Sequence, residues 1–514
     1  MTNYCKYVNV FHGNGEIGLP EPKGIAAKWF FIKAGTGNTS PAATLPFGGM
    51  SVSPFSGGYP QGYGHNLPNS HSRPKRFPEG DKLLGFAHLQ QSGTGAMGYY
   101  YNYAVVTPKY KNSEERRAPE NEYGEPGYYS CDLEGIRCEL TATNTVALHR
   151  YTFPKAGGSV EIDFDNNGLA IPGIKKAPVK KADLSLSDDN TVLADCLIEG
   201  IRLFFAVRGN GKAEISGRKA VFSDTQILKV ALSFVSSEKA LCDLNACPDF
   251  DTAKKAAHDA WNAVLSGIET DADERTKRIF YSNLYHSFVK PCSRPGESFV
   301  YDGNKPFVYD FATLWDMYKT ALPLILMTDR KMSEDICETL FSLCGAMGRI
   351  PNSLGLCDRY AENDTQARML GDYVLLTAYA YGYPIDPERL LDTIKTDLLA
   401  EDKRDFTVDH KCPSTTFLLD MADCCALAAR LARKTGDTEL AQTFESYAGL
   451  WTLAYDEKTG LLTADSPYYE GTLYNYSFRQ MVDMKSRIDL AGGKERFCGL
   501  LDRFFGYGAP DTVQ

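Results

Sequence analysis

The chain has 514 residues, 43% hydrophobic and 23% charged, a length that fits about two to four domains with sizeable cores. Its 55 Lys and Arg against 65 Asp and Glu leave a formal charge of −10, so the electrostatic footprint of a nucleic-acid binder is missing. Aromatics reach 12%, with 30 Tyr and 27 Phe, rings that fill cores and also form flat platforms for the apolar faces of ligands such as sugars.

The N-terminus, Met1 to Phe11, has neither a basic segment nor an apolar run of the secretory type. No stretch approaches the ~18 apolar residues of a membrane span. The 14 cysteines show no zinc-type spacing and include an adjacent pair, Cys424 and Cys425, which suits reduced thiols and a cytoplasmic protein better than a disulfide framework.

From the start to about residue 245, apolar and polar residues alternate in short runs bounded by Gly, Pro, Asn and Asp. Val160, Ile162 and Phe164 form one such face, Leu228, Val230, Leu232 and Phe234 another, and Ile136, Cys138, Leu140 and Ala142 a third. These runs predict a large antiparallel β-sandwich over 1–247. Near Pro248 the apolar spacing changes to three or four, as in Phe417, Met421, Cys424, Ala428 and Leu431, and predicts consecutive helical hairpins over 248–514.

Several familiar motifs are absent or out of context. Gly93 to Gly98 spells GxGxxG, but Tyr99-Tyr100-Tyr101-Asn102-Tyr103 follows where a dinucleotide fold needs a helix. There is no HExxH, no GxSxG and no Walker sequence, and most of the eight histidines are expected at the surface or satisfied in a core. What remains is carboxylates beside aromatics at two helix entrances, Trp315-Asp316 and Tyr468-Tyr469-Glu470. Such acids can cap helices, or they can converge on a pocket where aromatics hold a sugar and desolvation raises an acid's pKa.

Taken in order, the motifs resemble glycoside hydrolase family 92, exo-acting α-mannosidases. Val8-Asn9-Val10-Phe11 is similar to the family's VNPF, and Gly35 to Gly48 (GTGNTSPAATLPFG) to GxGHTxPGATVPFG. Phe86 to Gly95 (FAHLQQSGTG) resembles FSHTHLSGTG, Leu314 to Lys319 (LWDMYK) resembles LWDTYR, Gly371-Asp372-Tyr373 resembles GDH, and Tyr469 to Ser477 (YEGTLYNYS) resembles YEGNAWQYS. The resemblance implies an N-terminal β-sandwich and an (α/α)6 toroid, release of terminal α-mannose from mannosides or glycans with inversion, and Ca2+ as cofactor. It gives Glu470 the general-acid position, while Trp315 and Asp316 fall where the terminal mannose is held. Phe11, His88, Ser92 and Gly93 are the sandwich residues expected at the sugar.

The chain departs from the family at Gln90, Tyr373 and Tyr474, and about twenty residues from Gly15 to Ala34 look inserted. The family's NEPxHH and NDDxGQMS motifs do not occur before Gln514. In the family these supply the base and much of the calcium site, so the toroid is expected to be incomplete and this chain alone a poor catalyst. Two other readings stand beside this one: a glycan-binding or scaffold protein that keeps the fold without the base, and an unrelated toroid enzyme such as a phosphorylase or lyase.

Overall fold

A computed structural model describes residues 2–15, 39–58, 61–65, 79–89, 103–165, 179–198, 201–311, 314–356, 367–463 and 473–507. They form two compact units, Met1–Ala312 with Gly355–Tyr360, and Thr313–Leu354 with Ala361–Gln514.

The first unit is built on β1 (Ala43–Thr44), β2 (Ser51–Phe55), β3 (Gly85–His88), β4 (Tyr103–Lys109), β5 (Glu120–Glu125), β6 (Tyr128–Leu133), β7 (Ile136–Ala142) and β8 (Val146–Thr152). It continues through β9 (Ser159–Asp163), β10 (Val179–Leu186), β11 (Thr191–Ile198), β12 (Ile201–Gly209), β13 (Lys212–Ser216), β14 (Lys219–Ser223) and β15 (Ile227–Ser233). One sheet runs β1-β2-β3-β4-β9-β14-β13 and the other β10-β11-β12-β15-β8-β7-β6-β5. Every pairing in them is antiparallel.

The alternating faces are the inner faces. Val160, Ile162, Phe164, Ile136, Cys138, Leu140, Ala142, Leu228, Val230, Leu232 and Phe234 are all buried. The β6–β7 hairpin turns through Glu134 and Gly135, both at positive φ (51° and 77°), the two-residue geometry whose twist matches that of the flanking strands.

The two sheets are pinned by a polar thread through the apolar layer. His88 of β3 and His149 of β8 meet Nε2 to Nε2 at 3.0 Å. His88 Nδ1 lies 2.8 Å from the Ala104 carbonyl, which can only accept, and His149 Nδ1 lies 2.9 Å from the Tyr151 hydroxyl. One proton arrangement satisfies all three contacts with both rings neutral: Tyr151 O–H donates to His149, His149 Nε2–H to His88, and His88 Nδ1–H to Ala104. Burial pushes the His88 pKa down to about 4 and that of His149 well below its ordinary value.

Three helices complete this unit: α1 (Ser237–Ala246), α2 (Phe250–Leu265) and α3 (Glu274–Ser287). The first helix begins ahead of the change of period near Pro248, because the Ser236 side chain accepts from the Lys239 N–H and caps a helix three residues after β15 ends.

The second unit is helical. It contains α4 (Leu314–Met317), α5 (Ala321–Thr328), α6 (Arg330–Met347), α7 (Leu370–Ala380), α8 (Pro387–Leu398), α9 (Arg404–Thr407), α10 (Thr415–Thr435) and α11 (Thr438–Ala448). Then come α12 (Leu473–Ser477), α13 (Met484–Leu490) and α14 (Lys494–Phe504). Successive helices pack as hairpins, α5 on α6, α7 on α8 and α10 on α11, and α7 also touches α5 and α10. Asp329, Asp386, Ser414 and Asp437 cap helix starts, and Gly348 and Gly436 close helix ends at positive φ. Phe417, Met421, Cys424, Ala428 and Leu431 are buried along α10. Among the described residues no helix is long and apolar enough to cross a membrane.

Candidate active site

Asn352 organises two helix entrances at once. Its main-chain carbonyl accepts from the Leu314 N–H at 3.2 Å, and its side-chain oxygen accepts from the Leu370 N–H at 3.3 Å. These are first-turn donors that a helix leaves without internal partners. The short α4 therefore starts beside α7, with Leu314 and Met317 buried, Trp315 half-buried and Asp316 exposed. The Thr320 hydroxyl donates to the Asp316 main-chain carbonyl.

One turn further on, Tyr318 and Lys319 enter a buried charge cluster. Arg479, two residues past α12, places Nη1 2.8 Å from Asp420 and Nη2 3.6 Å from Asp423, both on α10. The same Nη2 lies 3.5 Å from the Tyr318 hydroxyl. Lys319 donates to the Gln480 carbonyl at 2.8 Å and stands 3.9 Å from Asp423. Its ammonium lies 5.3 Å from the ring centres of both Tyr318 and Tyr373, which pack edge to face.

Two cations thus face two carboxylates with little solvent between them. Burial raises the Asp420 pKa, with Arg479 pulling it back. Burial works against the Arg479 charge too, but the Asp420 carboxylate, with Asp423 beside it, outweighs burial and holds the guanidinium protonated. Burial, then Arg479, lowers Lys319, and burial raises Tyr318. Asp423 accepts from the Val482 N–H at 2.9 Å. It also lines a cavity of about 310 Å³ with Arg430, Trp451, Met481 and Asp483.

Gly371-Asp372-Tyr373 divides three tasks among three residues. A Cβ on Gly371 would stand 2.3 Å from the Ile350 side chain, so glycine lets the start of α7 pack closely there. Asp372 is fully buried, and among the described residues none donates a hydrogen bond to its carboxyl. Burial first, then the Asp397 carboxylate beside it, pushes its pKa well up. Lys403 neutralises Asp397 at 2.9 Å. Tyr373 belongs to the cluster described above.

Of the other residues picked from the sequence, Phe11 is half-buried in the first unit, its ring 3.2 Å from where a Cβ on Gly124 would stand. His88 is wholly inside the sandwich, in the core role open to it from the sequence. Ser92, Gly93 and Glu470 lie outside the described residues, as does the GxGxxG run. Among the described residues no group of three or more His, Cys, Asp or Glu could hold a metal ion, and the buried acids Asp397, Asp420 and Asp423 already face cations. These residues do not form a calcium site. Arg479, Asn352 and Asp420 were not singled out by sequence, where the only trace was two acids three apart in the apolar run of α10.

The N-terminal domain model of glycosyl hydrolase family 92 matches residues 7–254, and the family's catalytic domain model matches residues 239–513. A protein of Arthroderma benhamiae described as an uncharacterized secreted glycosidase is 24% identical over 363 residues, which are 56% of this chain and 44% of that protein. The chain thus matches less than half the length of that curated relative. A family GH92 alpha-mannosidase from Bacteroides thetaiotaomicron superposes with a TM-score of 0.80 at 18% identity, over 100% of this chain and 76% of the other. A family GH92 inverting mannosidase from the same species gives 0.77 at 17% identity, over 97% and 74%. The antiparallel sheets followed by helical hairpins are therefore the fold of those enzymes, and with both domain models matched, the chain belongs to glycosyl hydrolase family 92.

Proposed function

We propose that the protein is a glycosidase that releases terminal α-linked mannose from mannosides or mannose-containing glycans with inversion. Trp315 and Asp316 hold the terminal sugar, the indole against its apolar face and the carboxylate on its hydroxyls. Glu470 donates a proton to the departing oxygen, while a carboxylate about 6.5–9.5 Å away activates water on the opposite face.

The observation that carries this reading is the meeting of three motif segments. LWDMYK supplies Tyr318 and Lys319, GDY supplies Tyr373, and the segment just after YEGTLYNYS supplies Arg479 and Gln480. Two relatives of the same fold support it through their descriptions, one an inverting mannosidase and one an alpha-mannosidase also solved with mannoimidazole. The experiment is hydrolysis of an aryl α-mannoside compared with the α-glucoside and α-galactoside. Release confined to the mannoside supports the proposal, and equal release or none refutes it.

A further inference from the structure

We propose that Arg479 is a positioning residue for Trp315 and Asp316, a role that rests on the mannoside reading above. The helix that carries this pair is four residues long, far too short to hold its own direction, since isolated helices are marginal below about 12–15 residues. Its placement must come from what anchors its two ends. Asn352 anchors the first end through Leu314. At the other end, Tyr318 and Lys319 are gripped by Arg479 and Gln480, two consecutive residues on two consecutive residues.

The grip depends on guanidinium geometry. One side chain reaches Asp420 at 2.8 Å, Asp423 at 3.6 Å and the Tyr318 hydroxyl at 3.5 Å. A planar fork of donors can span several acceptors, and a lysine ammonium on a shorter reach cannot. Arg479 is itself fixed, because the α10 carboxylates on which it rests are only 6% and 4% exposed. The coupling therefore runs from the rigid α10 through Arg479 to Tyr318, and from Tyr318 back one turn to Trp315 and Asp316.

Removing Arg479 alone would strand two buried carboxylates, so the test uses the charge-balanced pair Arg479→Met with Asp420→Asn, which leaves Lys319 facing Asp423. If Arg479 acts by placing the sugar-holding pair, KM for an aryl α-mannoside rises about tenfold with kcat within about twofold, the signature of lost uniform binding. In a Trp315→Phe, Asp316→Asn background the same pair of changes adds less than about twofold, because both targets are already gone. Equal effects in both backgrounds, or a fall in kcat at constant KM, would overturn the inference.

A second readout needs no turnover. The chain has four tryptophans, and 5-fluorotryptophan labelling with Trp315→Phe identifies the Trp315 resonance. That resonance should shift or broaden in the Arg479→Met, Asp420→Asn protein while Trp261, buried in the other unit, stays put. An unmoved Trp315 signal refutes the positioning role whatever the activity. A moved signal in a protein whose wild type ignores mannosides leaves the positioning of Trp315 standing and defeats the mannoside reading alone.

Discussion

Arg479 lies 2.8 Å from Asp420, joining the segment after α12 to the second turn of α10 where both side chains are shielded from water. Breaking such a pair from one side leaves a buried charge without its partner, a loss of about 3–5 kcal/mol. Arg479→Met should therefore lower the unfolding free energy by that order, and adding Asp420→Asn should restore most of it. Urea denaturation of the two proteins checks this. A double variant as unstable as the single one would mean that packing, not charge, is what Arg479 supplies.

Gly371 is predicted to be intolerant of a single methyl. The nearest atom to its Cβ position is Ile350 Cγ2 at 2.3 Å, so Gly371→Ala must push the Ile350 side chain away from the start of α7. Overpacking of this kind costs about 1–3 kcal/mol, and Ile350→Val does not relieve it, because valine loses only Cδ1 and keeps both the γ-methyl at 2.3 Å and the Cβ at 3.3 Å. Thermal unfolding of Gly371→Ala measures the effect, and an unchanged midpoint would contradict the close approach.

The His88–His149 contact predicts a pH dependence of stability with a definite sign. Folded His88 stays neutral down to about pH 4 because it is buried, whereas its ordinary value is 6.5. Between those limits the unfolded chain binds more protons, so stability rises with pH. The contribution is present in full above about pH 6.5, falls as pH drops toward 4, and amounts to about 3 kcal/mol from this residue. His88→Gln, whose amide can donate to Ala104 and accept from His149, should flatten the profile over that window. A variant with the wild-type slope would show that His88 does not carry it.

How much of this was legible in the sequence depends on how local the signal is. The inward faces at Ile136 to Ala142 and Leu228 to Phe234 follow from period two, and the buried stripe from Phe417 to Leu431 follows from period 3.6. The helix entrance at Trp315 was also visible, because an aromatic and an acid stand side by side where a helical run opens. What could not be read is pairing across distance. Arg479 meets Tyr318 across 161 positions, and His88 meets His149 across 61. No local pattern marks Asn352 as the residue that fastens α4 and α7, and Asp420 and Asp423 resemble a solvated stripe until the cations arrive.

Glu470→Gln is predicted to keep the fold and to cost about 10²–10⁴ in rate on mannosides with poor leaving groups, the usual share of a general acid. The amide has the shape of the acid and no proton to give. With activated leaving groups, which need little protonation, the loss should shrink. Steady-state kinetics on a series of aryl α-mannosides separates the cases, since equal losses across the series would assign Glu470 to binding.

The most direct measurement is the anomeric form of the first mannose released, followed by proton NMR with an unactivated α-mannoside and enzyme at concentrations comparable to substrate, so that slow turnover is still seen. The account predicts β-mannose as the first product, mutarotating later to the equilibrium mixture, and none from Glu470→Gln. α-Mannose appearing first, or release that Glu470→Gln leaves unchanged, would contradict it.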